Sequence, residues 1–151
     1  MPYFVEGYEK FPLKILGKIV EAYKTRLKKL SDITEMTDFF FKDKLVYDKN
    51  LLRWQKMGDR EVKESLEYSA NILSATKKWD KKSLEELLVK AASSFAQGFG
   101  GQGKNSNRGN LLWPLRVVLS GKSASASPFE IAEILGKEKT LKRISEAKDM
   151  F

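Results

Sequence analysis

The chain has no cysteine and no histidine among its 151 residues. Without cysteine there is no disulfide and no thiolate metal site. Without histidine the commonest acid–base catalyst and the commonest metal ligand are both gone. No run of about eighteen apolar residues exists, which excludes a membrane-spanning helix. The N-terminus lacks the pattern of a secretory signal. Acidic charge is also short: 20 Asp and Glu stand against 28 Lys and Arg, a net charge of +8. A small basic chain points to a polyanionic partner, the plainer alternative being a solvated basic surface.

What is present is helical. Hydrophobic residues make up 42% of the chain, enough for a core in one or two small domains. No segment sustains strand-like alternation, and there is no internal repeat. The expected fold is all-α, roughly seven helices. Residues 1 to 11 read as loop. Pro12 opens a helix whose narrow seam is Leu13, Leu16, Val20, Tyr23, Leu27 and Leu30. Its lysines lie mostly off that seam. A membrane-surface helix is one reading of this pattern; a bundle helix with a wet basic face is the preferred one. Ser31 or Asp32 starts a short second helix, and Phe39, Phe40 and Phe41 read as its buried end. Asp48 to Asn50 is a turn, and Leu51, Leu52, Trp54 and Met57 follow on a short helix closed by Gly58. Asp59 caps a helix with Val62, Leu66, Ser69, Leu73 and Thr76 on one face. Ser83 with Glu86 has capping-box spacing before Leu84, Leu87, Leu88, Ala91 and Phe95. The last helix, about Lys137 to Asp149, buries Leu141 and Ile144 and exposes Lys139, Lys142, Arg143 and Lys148. A soft break near Met57 to Asp59 divides the chain into a helical connector, 1–58, and a C-terminal helical bundle, 59–151.

Two motifs need weighing. Gly98-Phe-Gly-Gly-Gln-Gly-Lys104 matches G-x-G-x-x-G and nearly a P-loop. Both need a preceding strand, and here an amphipathic helix precedes. Asn105 stands where a P-loop has its magnesium-binding hydroxyl. A polar loop with Lys104, Asn107 and Arg108 near phosphates is the better reading. The paired acids Glu85-Glu86 and Glu61/Glu64 sit where first-turn carboxylates favour a helix start. No catalytic or metal-binding set can be assembled.

The organising stretch is 110–136. Leu112, Leu115 and Leu119 share a helical face, with Val118 beside them, and Gly121 is a natural stop. Ser127, Pro128 and Glu130 form a strong helix start. Arg116, Lys122, Ser123 and Ser125 thus cluster near the N-terminus of a capped helix, a site suited to a phosphate or a base edge. Trp113-Pro-Leu-Arg-Val-Val-Leu-Ser-Gly121, then Pro128-Phe-Glu-Ile131, then Leu135-Gly-Lys-Glu138, resembles the C-terminal anticodon-binding region of bacterial-type glutamyl-tRNA synthetases, a class I synthetase family. The likeness extends upstream through Ala22-Tyr-Lys-Thr-Arg26 and Phe39-Phe-Phe41, over most of residues 13 to 148. It departs at Ala126 and Ser127, where the family usually has Pro-Gly.

The resemblance implies a helical region that grips the anticodon loop and positions tRNA(Glu) for aminoacylation by a catalytic domain absent here. By position, Arg116 matches an arginine that contacts an anticodon base. Ser125, Ala126, Ser127 and Pro128 match the loop that meets the first anticodon base, with Lys122 beside it. Lys104, Asn107 and Arg108 are the expected phosphate contacts. No cofactor is expected in this chain; a full-length parent would use ATP and Mg2+. The expected chain is a cytoplasmic monomer, and recognition of tRNA(Gln) stays open. Two rivals remain: a helix-turn-helix DNA binder, against which the connector of about six residues is long, and a helical module with no nucleic-acid role.

Overall fold

The computed structural model describes residues 11–97 and 108–151. The expected loops at 1–10 and 98–107, with Lys104 and Asn107, lie outside the described residues. The described residues form seven α-helices and no strand: α1 (Leu13–Tyr23), α2 (Asp32–Thr37), α3 (Asp59–Ala75), α4 (Lys81–Gln97), α5 (Gly109–Ser120), α6 (Pro128–Leu135) and α7 (Lys137–Lys148). Two 3-10 turns, Asp38–Phe41 and Lys49–Leu52, complete them.

The bundle is built around α5. It packs on α3, α4, α6, α7 and the Lys49–Leu52 turn. Leu111, Pro114, Leu115, Val117, Val118, Leu119 and Ser120 are all buried. A helix apolar on nearly every side must be enclosed by neighbours. Pro114 lies inside it and has no N–H to give the carbonyl four residues back, that of Asn110. The hydroxyl of Ser65, fully buried on α3, donates to that Asn110 carbonyl at 2.7 Å. Ser65→Ala should therefore cost about 1–3 kcal/mol by stranding a buried carbonyl. Urea denaturation would measure it; a variant as stable as wild type would mean that the carbonyl finds another donor.

Each helix end has a local cause. Gly121 closes α5 with φ 69°, in the left-handed region that glycine adopts without cost. Ser127 caps α6 as expected: its hydroxyl accepts the Glu130 N–H at 3.3 Å, and the Glu130 carboxylate accepts the Ser127 N–H at 3.3 Å. Other expected starts are shifted. Asp80, rather than Ser83, caps α4, accepting from both the N–H and the hydroxyl of Ser83 at 2.9 and 2.8 Å. The Asp80 carbonyl already accepts the Leu84 N–H, so the helix has begun before Ser83, whose hydroxyl is spent on the Asp80 carboxylate. Gly58 precedes α3 and Asp59 is its first residue. Residues 51–57 are not a continuous helix; only the Lys49–Leu52 turn forms there, started by the Asp48 carboxylate accepting from Asn50 N–H at 2.9 Å.

The expected α1 seam is corrected. The helix stops at Tyr23, and its buried residues are Ile19 and Tyr23. Leu13, Val20 and Leu30 are 85%, 48% and 68% exposed. Tyr23 of the seam is buried as expected, but with Ile15 and Ile19, spaced by four, rather than with Leu13 and Val20; the helix meets α6. Arg143 is also corrected. It is 2% exposed, because its guanidinium ends among the carbonyls of Leu119, Phe39 and Lys42. Lys139 is half-buried for a similar reason, donating to the Phe40 carbonyl at 2.9 Å. Phe39 and Phe40 are core side chains, their rings 4.1 Å apart. One continuous core joins Ile19, Tyr23, Phe39, Phe40 and Leu52 to Leu66, Leu115, Ile131 and Ile144.

Candidate nucleic-acid interface

The turn from α5 into α6, residues 121–127, lies at one end of the bundle. Its path is set from both sides. On the α5 side, Ser120 Oγ donates to the Arg116 carbonyl at 2.8 Å and accepts from Lys122 N–H at 3.1 Å. On the α6 side the Ser127 cap fixes the exit. Between them, Ser123 and Ala124 are exposed, while Ala126 is fully buried.

Arg116 reaches into this turn. Its Nη2 donates to the Ser123 carbonyl at 2.7 Å, and its Nη1 donates to Ser125 Oγ at 2.9 Å. Ser125 Oγ passes a bond on to the Ala126 carbonyl at 2.8 Å. The guanidinium lies 4.6 Å from the centre of the Trp113 ring, a cation–π contact made possible by i,i+3 spacing on α5. Trp113 is held in turn by donation to the Leu51 carbonyl at 2.9 Å and by the Trp54 ring at 5.3 Å. Burial pushes the Arg116 pKa down, partly opposed by Tyr23. Among the described residues no carboxylate pairs with it. A half-desolvated cation without an acid partner is matched to an electron-rich ligand.

The remaining sequence-predicted residues divide. Ser125 joins Arg116 directly. Ser127 is occupied by its cap. Ala126 and Pro128 are buried, so they act as backbone positions. Lys122 pairs with Asp38 at 3.1 Å, and Lys42 joins the same carboxylate at 3.2 Å. Burial pushes the Asp38 carboxyl up, but the bonds from Lys122 and Lys42 outweigh it and hold the pKa below the usual range. Lys122 thus meets a protein carboxylate in this structure. Arg108 stands just before α5 and lines a cleft with Lys82, Glu85, Glu86 and Lys90 of α4. The length of α5, at about 1.5 Å per residue, puts it roughly 20 Å from the Arg116 turn. It does not join that site.

Two contributors were not named as site residues by the sequence. Trp113 could have been, since its i,i+3 spacing from Arg116 is legible. Tyr23 carried no such signal: its hydroxyl accepts from the Ala126 N–H at 3.2 Å, across 103 residues of chain. Arg26, one turn on, approaches Glu130 at 4.0 Å.

The outer face of α6 is spoken for. Glu130 also pairs with Lys81 at 3.1 Å, and Glu133 with Lys18 at 3.6 Å. Pro128, Phe129, Ile131, Ala132 and Ile134 are buried. A helix that offers only paired carboxylates outward is a poor reader of a major groove. Among the described residues no helix is long and apolar enough to cross a membrane.

Proteins of similar sequence and fold are known. The chain is 36% identical over 135 residues to the glutamate–tRNA ligase of Herpetosiphon aurantiacus, covering 87% of this chain and 26% of that protein. It is 31% identical over 167 aligned positions to glutamate–tRNA ligase 1 of Caldicellulosiruptor saccharolyticus, covering 100% of this chain and 30% of that protein. The chain thus spans about a quarter to a third of the length of these relatives. The crystal structure of a glutamate tRNA ligase from Elizabethkingia meningosepticum has the same fold over 92% of this chain and 25% of that one, with a TM-score of 0.70 at 22% identity. The family model described as the anticodon binding domain matches residues 1–148, and the chain belongs to that family.

Proposed function

We propose that this chain reads the anticodon loop of tRNA(Glu) through Arg116 and the turn at 121–127, as the reading part of a glutamate–tRNA ligase. The observation that carries it is Arg116: a half-buried cation with no acid partner among the described residues, held on Trp113 beside an exposed turn. Unstacked loop bases are recognised by such groups, with arginine bonding their edges and aromatic rings offering stacking faces. Ser123 and Ala124 supply exposed backbone at the same place. The net charge of +8 favours a polyanion and draws it in at long range.

In this reading the chain is a cytoplasmic monomer with no catalysis of its own, residues 1–58 connecting and residues 59–151 reading. Aminoacylation, with ATP and Mg2+, belongs to a catalytic region of the parent. Helix α4, not a strand, precedes residue 98, and both phosphate-loop motifs need a preceding strand. A DNA-reading role is disfavoured by the paired carboxylates on α6.

The test is a titration against anticodon stem-loops of glutamate and glutamine tRNAs, with a scrambled loop as control, at two salt concentrations. The expected result is preference for the glutamate loop, with all affinities falling as salt rises. Similar binding of both tRNA loops but not the control would mean relaxed specificity. Equal binding of all three, lost with salt, would reduce the chain to a basic helical domain.

A further inference from the structure

Tyr23 is completely buried, yet it carries a hydroxyl. Its ring packs edge-on against Phe40, with centroids 6.0 Å apart. A phenylalanine would fill that space equally well. A phenol in a core needs a partner to offset its desolvation. The partner is the N–H of Ala126, itself fully buried, at 3.2 Å. Burial raises the phenol pKa, and the Ala126 bond partly offsets this, so the group is neutral at physiological pH. The bond ties α1 to the α6 end of the Arg116 turn.

The ties along that turn then form a series. Arg116 holds the Ser123 carbonyl and Ser125 Oγ. Ser125 Oγ holds the Ala126 carbonyl. Tyr23 holds the Ala126 N–H. Ser127 begins the cap of α6. Without the phenol, the peptide entering Ala126 has a buried donor with no acceptor, and the turn is free to rotate to find one. That rotation carries Ser125 and the arginine bonded to it.

We propose that Tyr23 is a positioning residue for anticodon reading, its hydroxyl setting the Ala126 backbone and so the placement of Ser125 and Arg116. This rests on the function proposed above. Tyr23 touches no RNA; it acts through the turn. It also makes the reading geometry depend on α1, so a displacement of that helix is felt at the turn.

Tyr23→Phe tests this, because it keeps the ring and removes only the hydroxyl. Three variants are compared with wild type: Y23F, R116A and Ile19→Val, the last thinning the core on the same helix. Each is titrated with the glutamate stem-loop and with loops changed at one anticodon base. Amide exchange at Ala126 is followed in parallel. Y23F should speed exchange at Ala126 while core amides such as that of Leu115 keep their protection. Its preference for the cognate loop should fall by about threefold to tenfold, the scale of one net hydrogen bond. I19V should leave the preference unchanged. If R116A loses the preference while Y23F keeps it in full, Tyr23 is purely structural and the proposal is overturned, with the anticodon reading intact. If I19V loses it as much as Y23F, the effect is general loosening and the proposal is again overturned. A wild-type chain indifferent to all loops would overturn both readings together.

Discussion

Arg116→Ala is expected to weaken binding of the glutamate anticodon stem-loop by roughly 1–3 kcal/mol, about fivefold to 150-fold, and to relax discrimination at one base. The magnitude follows from a guanidinium that is already partly desolvated, so little further hydration is lost when a base edge arrives. Its orientation is also prepared: Trp113 supports one face and Ser123 and Ser125 hold two nitrogens. A competing explanation is simple charge removal. The two are separable. Loss of a phosphate contact weakens every RNA alike and reduces the salt slope by about one, whereas loss of a base contact falls mainly on the cognate loop. Arg116→Lys keeps the charge but not the planar fork, so it should recover the salt slope and only part of the discrimination. Binding of the cognate loop by R116A at wild-type strength would show that the base-reading assignment is wrong.

Arg143→Met is expected to cost about 3 kcal/mol of stability. Two effects oppose each other. Burial of the guanidinium is itself costly and pushes its pKa down to about 10; its Nε finds no partner. Against this, it donates to three backbone carbonyls from separate parts of the chain: Leu119 at the end of α5, and Phe39 and Lys42 around the Asp38–Phe41 turn. Chain ends of helical turns leave carbonyls without N–H partners, and their negative ends attract a cation. A methionine fills the space but strands all three. Desolvation relief recovers part of that loss, and the stranded carbonyls dominate. Arg143→Lys should fall between, since one ammonium cannot span three acceptors so widely placed. Equilibrium urea denaturation measures both variants. A methionine variant within about 0.5 kcal/mol of wild type, the range of an ordinary surface change, would mean that relief of desolvation wins instead.

Arg143 also marks where sequence reading failed. As a cation on a helix that also carries Lys139, Lys142 and Lys148 it reads as part of a wet face, although its spacing of four from Ala147 sets it beside the buried side. Nothing local says that two other segments end their turns beside it. The α1 seam failed for a related reason. Two apolar rows run along that helix, Leu13-Leu16-Val20 and Ile15-Ile19, both at helical spacing and both leading to Tyr23. Periodicity counts apolar positions but does not say which row finds a partner. At Ser83, capping spacing pointed to the right region and the wrong residue, because Asp80 starts the helix one turn earlier and takes up both the N–H and the hydroxyl of Ser83.

Other features were legible because their causes are short-ranged. Gly121, Ser127, Pro128 and Glu130 define the end of α5 and the start of α6 through bonds spanning four residues or fewer. The Val62, Leu66, Ser69 and Leu73 stripe of α3 is buried as its period requires. The all-helical class followed from the absence of strand periodicity, and the family from the residues around Trp-Pro-Leu-Arg. Arg116 and Ser125, nine residues apart across one turn, could be placed together for the same reason.

The sequence by itself thus determined where most of the helices lie, several of their ends, the basic charge, the family and the Arg116 turn, because those rest on contacts a few residues apart. The tertiary structure alone decided which face of α1 is buried, that Ser65 completes the helix broken by Pro114, that Arg143 lies inside, that Lys122 is paired with Asp38, and that Tyr23 holds Ala126. Each of these joins groups from 24 to more than 100 residues apart, or chooses between locally equivalent faces. Such pairings exist only once the helices have packed around α5, and no local pattern encodes them.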